Sequence, residues 1–122
     1  MDGTQKRAKA YLEQYRKDSR SVRRQQKAID DAHKGDDSPL DVAVAEDVMA
    51  MSEERQAQLG ALRKDILTYL ARLPGDEQDV LVARYIRGLP WRRVVDVMEC
   101  SESTTYRLHR AGLRHLGEML KE

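Results

Sequence analysis

The residues best suited to chemistry lie in one short stretch, ECSESTTYRLHRAGLRHL, residues 99–116. It gathers Glu102, Ser103, Tyr106, Arg107 and Arg110 among few aliphatics, and from 103 to 116 it carries Arg107, Arg110 and Arg114 with no acid. These groups hydrogen-bond well. An arginine fork can clasp the O6 and N7 of guanine, serine or threonine can bond a base or a phosphate, and a glutamate can accept from the amino group of cytosine. Upstream, Arg92 and Arg93 form a paired cation. The parts of a catalyst are missing. There is no Ser/His/Asp set and no phosphate-cradling Gly loop, Cys100 is the one thiol, and His109 and His115 are six apart and cannot share a helix face. No metal site has the right ligands or spacing. The chain is read as a non-enzyme with no cofactor and no metal.

The elements that must position these residues follow from breakers and periodicity. DEQDVLVARYI (76–86) reads as a helix with acids in its first turn, where the helix dipole favours them. Gly88 stops it, and Pro90 sits in the first turn of the next helix, PWRRVVDVM. That helix turns Val94, Val95 and Met98 inward and Arg92, Arg93 and Asp96 outward. Glu99 and Cys100 form a turn, and Ser101 caps a last helix, 102–120, with an apolar stripe of Thr105, Leu108, Gly112, Leu116 and Met119 or Leu120.

A helix, a Gly-containing break, a short helix, a tight turn and a longer helix is the pattern of a helix-turn-helix. With the stripe packed inward, the opposite face shows Glu102, Ser103, Tyr106, Arg107 and Arg110 as base-reading candidates. Arg92, Arg93, Thr104 and Arg114 are candidates for the DNA backbone. Glu102 has two uses, reading a cytosine amino group or favouring the helix N-terminus. Arg84 is expected in an ion pair with Asp79 or Asp96, and Trp91 as a plug in the core.

The N-terminal part is organised differently. Ala8, Leu12, Tyr15, Ser19, Val22, Gln26, Ile29 and His33 recur at spacings of four and three, which predicts one long amphipathic helix from about residue 4 to 33. Ser19, Gln26 and His33 make its seam a weak one. KGDDSPLD (34–41) is a breaker cluster, with Ser38 and Asp41 as alternative caps and Pro39 near a helix start. From about Glu46 a second stripe runs through Met51, Arg55, Leu59, Leu62, Ile66, Tyr69 and Leu73, and LPGD (73–76) ends it. Two long helices on a short loop imply an antiparallel hairpin. The expected division is 1–73, an N-terminal helical hairpin, and 74–122, the helix-turn-helix.

Composition agrees with an all-α chain. Phe is absent from the 122 residues, and charged residues make up 35%. The net charge of +1 hides an asymmetry: residues 1–34 hold ten Lys or Arg against five Asp or Glu, and residues 35–60 hold Arg55 against seven acids. The basic helix can therefore track DNA phosphates, pair with the acidic segment 36–54, or lend its stripe to a homodimer. One Cys fits a reducing compartment, no apolar run suits a membrane span, and the N-terminus lacks a signal-peptide core. A cytoplasmic protein is expected, with no membrane partner.

Residues 73–116 resemble region 4 of the sigma-70 family. The shared pattern is Leu73-Pro74, acids, Val80-Leu81, Arg84-Tyr85, Gly88-Leu89, the bracing helix, Ser101, Leu108 and Arg110-Ala111. Val95 and Glu99 depart from it, standing where the family has Ala and Gly. Trp91 after Gly-Leu-Pro, and the run TYRLHRAGL, are similar to phage transcriptional activators of the RinA and ArpU type, which share this sigma-like fold and also carry a long basic N-terminal helix and an acidic linker. The resemblance implies binding to double-stranded promoter DNA and activation of late phage genes, with RNA polymerase as a further partner. Two rivals stand beside it: an interaction module that binds polymerase or a sigma factor, and a DNA-packaging subunit like the small terminase subunit.

Overall fold

The computed structural model describes residues 1–33 and 42–121, so the breaker cluster with Ser38, Pro39 and Asp41 lies outside the described residues. Among these residues there are five α-helices and no strand: α1 (Gly3–His33), α2 (Val42–Leu70), α3 (Gly75–Leu81), α4 (Trp91–Met98) and α5 (Glu102–Leu120). α3 runs on as one π-helical turn, Val82–Ile86. The helices form where Ala, Leu, Arg, Glu and Gln predominate, residues that lose little rotamer freedom in a helix. The chain makes two compact units, one of Met1–Arg16 with Arg63–Glu122 and one of Lys17–Leu62.

In the Lys17–Leu62 unit, α1 and α2 lie side by side. Val22 and Ile29 are buried from α1, and the Arg55 guanidinium donates to Ser21 Oγ at 3.0 Å. Gln56 Nε2 donates to Gln26 Oε1 at 3.2 Å and to Ser52 Oγ at 3.3 Å. The expected stripe of α2 needs one correction: Met51 is 58% exposed, whereas Ser52 is 1% exposed. Ser52 is in heptad register with Leu59 and Ile66, and Met51 stands a hundred degrees off that line. The apolar pattern skips a serine that hydrogen bonding keeps satisfied inside.

In the larger unit, Ala8, Leu12 and Tyr15 of α1 and Ile66 and Leu70 of α2 are buried, and Tyr11 meets Tyr69 edge to ring. α2 ends at Leu70, not at Leu73. The N–H groups of Arg72 and Leu73 reach back only three residues, to Tyr69 and Leu70, a tightened last turn ahead of Pro74. Leu73 is nevertheless buried, so the turn is pinned by its side chain.

Val80, Leu81, Val94, Leu113 and Leu116 complete this core, each fully buried and each contributing about 1.5–3 kcal/mol of transfer free energy. α5 and α1 meet closely at Gly117. A Cβ there would lie 2.3 Å from the Thr4 carbonyl oxygen, so only glycine admits the first turn of α1.

Candidate nucleic-acid interface

Three local devices seat α5. The first is the π-helical turn, in which the Arg87 N–H bonds the Val82 carbonyl five residues back at 2.9 Å. Gly88 then takes φ +70°, and Leu89 N–H closes on the Ala83 carbonyl. The second is the turn after α4, which places Glu99 in the left-handed region at φ 55° and ψ 36°. The third is the Ser101 cap: its Oγ accepts the Thr104 N–H at 3.0 Å, as expected for Ser ahead of a helix. Thr105 reinforces it by donating from Oγ1 to the Ser101 carbonyl at 3.0 Å.

Glu99 is the one described non-glycine residue with positive φ. Left-handed backbone costs a side chain about 1–2 kcal/mol, partly offset by the greater freedom of glycine in the unfolded chain. Glu99→Gly is therefore expected to stabilise the protein by about 0.5–1 kcal/mol, read as a higher urea midpoint with an unchanged slope. An unchanged or lower midpoint would mean that the glutamate side chain offsets the strain.

Under α5 lies an aromatic cluster. His109 is 5% exposed, and its Nε2 lies 2.8 Å from the Tyr85 hydroxyl, which is itself buried. The Tyr85 and His109 rings stack, and Trp91 meets the His109 ring edge-on with centroids 4.6 Å apart. Burial holds the His109 pKa down at about 4, and the positive charges of Lys9, Arg84 and Arg110 push the same way. The ring is neutral at neutral pH, and its tautomer sets which of the Tyr85 hydroxyl and Nε2 donates in the bond between them. Burial likewise raises the Tyr85 phenol well above its ordinary value. The expected helix stripe is corrected here. His109 and Leu113 are buried, whereas Leu108 is only half-buried. A histidine satisfied by a tyrosine serves as core, and its polarity hid it.

Arg84 also differs from expectation. Among the described residues it forms no ion pair with Asp79 or Asp96. Its guanidinium donates to the Leu89 carbonyl at 3.0 Å and lies over the Trp91 ring, 4.8 Å from the centroid. Both acids are exposed, and a half-buried guanidinium finds a carbonyl and an aromatic face at less desolvation cost. Trp91 is half-buried, covered by Arg84 on one side and packed against Tyr106 and His109, with the Tyr106 centroid at 4.8 Å.

The outer side of α5 carries Ser103, Arg107, Arg110 and Arg114, all exposed and spaced four, three and four residues apart. They share one face, roughly opposite Thr105, His109, Gly112 and Leu116. Glu102 is exposed in the first turn. With Trp91, Arg92, Val95, Asp96 and Tyr106 it lines a shallow depression of about 240 Å³ where α4 begins. Arg92 and Arg93 are exposed at that end of α4. Thr104 and Tyr106 are half-buried: Thr104 is held by the cap through a 2.9 Å bond from the Ser101 hydroxyl, and Tyr106 is held by Trp91.

Two residues of α1 belong to this neighbourhood and were not expected there. Gln5 is 4% exposed and donates from Nε2 to the Arg110 carbonyl at 3.0 Å, and Lys9 lies within electrostatic reach of His109. Gln5 stands three residues before Ala8 on the α1 stripe, so the signal was present, in polar form.

Residues 63–116 match the family model described as Sigma-70, region 4, which covers the end of α2, α3, the π-helical turn, α4 and most of α5. This part of the chain, less than half of it, is a sigma-70 region 4-like helix-turn-helix. No curated protein and no solved structure matches the chain significantly. No helix among the described residues is long and apolar enough to cross a membrane.

Proposed function

We propose that the protein is a sequence-specific DNA-binding transcription regulator that lays α5 (102–120) in the major groove. The observation that carries this reading is the exposed run Ser103, Arg107, Arg110 and Arg114 on one face of a capped helix, inside the segment that matches sigma-70 region 4. Arg107 and Arg110, with Ser103, Tyr106 and Glu102, read base edges. Arg92, Arg93, Thr104 and Arg114 hold phosphates and set the register.

The finer identity is a phage or prophage late-gene activator of the RinA and ArpU type, acting in the cytoplasm. Trp91 and the run TYRLHRAGL support it. Within this reading, residues 74–122 bind the operator and the N-terminal hairpin, 1–73, serves dimerisation or contact with RNA polymerase. A dimer would set two half-sites about one DNA turn apart. The direct test is footprinting with wild-type protein on the DNA flanking its own gene, followed by a salt titration at the protected site. A discrete footprint with salt-sensitive affinity is expected. The absence of any salt-sensitive binding to that DNA would sink the reading.

A further inference from the structure

The first turns of α1 carry cations beside α5 that folding does not require. Docking is supplied by other groups: Gln5 bonds the Arg110 carbonyl, Thr4 nests on Gly117, and Ala8 and Leu12 are fully buried. The helix start is itself fixed, because the Asp2 N–H donates to Gln5 Oε1 at 3.0 Å and the Gln5 N–H to Asp2 Oδ1 at 2.9 Å. Lys9 is one turn beyond Gln5 on the same edge of α1, and Lys6 is three residues from Lys9. Both lysines are exposed, and among the described residues neither makes an ion pair. The Gln5 bond to the Arg110 carbonyl sets the start of α1 against α5, and the charges of Lys9, Arg84 and Arg110 all bear on the buried His109 ring, so cations from separate helices gather on this side of the protein. Like charges gathered in this way repel in the free protein, and a polyanion lying across them would relieve the repulsion.

We infer that Lys6 and Lys9 are part of the DNA interface, holding phosphates of the strand that borders the groove occupied by α5. The inference rests on the DNA-binding reading of α5 and adds a second element to it. Lysine suits a phosphate contact, because its compact charge on a flexible stem recognises the anion without reading a base. The interface is thus assembled from residues 105 positions apart in the chain, joined through the bond from Gln5 to Arg110.

The test compares the full-length Lys6→Ala/Lys9→Ala variant with wild type on two duplexes of equal length, one bearing the footprinted site and one unrelated. Affinity for both duplexes should fall by about tenfold, and the slope of log K against log salt should become shallower by about 1.8, the contribution of two phosphate contacts. Helical circular dichroism and the denaturation midpoint should stay as in wild type. As a second readout independent of substitution, chemical acetylation of the wild-type protein should be slowed at Lys6 and Lys9 when the duplex is bound. If wild type binds and the double variant keeps its affinity and slope, the inference is overturned and the reading of α5 stands. Lys6 and Lys9 acetylated equally with and without bound DNA would also overturn it. Wild type that binds neither duplex removes both.

Discussion

Replacing Arg107 and Arg110 together by alanine is expected to lower affinity for the operator by about 100-fold or more and to leave the helical circular dichroism unchanged. The size follows from about 1–3 kcal/mol for each bidentate contact to a base pair, with part of the nonspecific attraction lost as well. The fold should not notice. Both side chains are exposed, neither forms an ion pair among the described residues, and the bond from Gln5 goes to the backbone carbonyl of Arg110. Alanine is also the better helix former. Fluorescence anisotropy on specific and unrelated duplexes separates the two contributions: the double variant should bind both with similar, weak affinity. Binding within threefold of wild type would remove α5 as the reading element.

The second large effect is on stability in acid. The sign follows from His109, whose pKa is about 4 in the folded protein against 6.5 for the ordinary imidazole. Between these values the unfolded chain takes up a proton that the folded chain refuses. Stability is therefore complete above about pH 6.5 and is lost as pH falls toward 4, by about 3 kcal/mol at roughly 1.36 kcal/mol per unit. His109→Gln keeps a side chain able to donate to or accept from the Tyr85 hydroxyl and does not titrate, so urea midpoints of the two proteins should diverge below pH 6.5. Parallel pH profiles for wild type and His109→Gln would refute the assignment. Because the His109 ring stacks on Tyr85 and meets Trp91 edge-on beneath α5, DNA binding should weaken over the same window to the extent that the protein unfolds.

The helices were legible in the sequence because their signals are local. Gly88, Pro90 and Ser101 each act through the backbone within a few residues, and the bounds of α4 and α5 follow from them. The exposed arginines of α5 were legible for the same reason, since a helix fixes which residues share a face. What could not be read locally was how polar residues enter the core. His109 and Gln5 are buried because a distant partner satisfies each, Tyr85 and the Arg110 carbonyl, while Gln56, one turn on in α2, satisfies the buried Ser52. Apolar periodicity counts such residues as solvent-facing, and so it favours Met51 and Leu108 instead. Arg84 failed similarly, because an aromatic face competes with a carboxylate only once the fold has set Trp91 beside it.

The seam between Thr4 and Gly117 has a consequence in time. Residues at opposite ends of the described chain must meet before the larger unit is complete, so its closing step joins contacts of the greatest sequence separation available. Such contacts are late in folding, because the entropy of closing the intervening chain is lost before they reward it. During synthesis this seam cannot form until α5 has left the ribosome, because Thr4 has to meet Gly117 and Gln5 has to meet the Arg110 carbonyl. The first turn of α1 is thus among the last parts of the larger unit to be fixed.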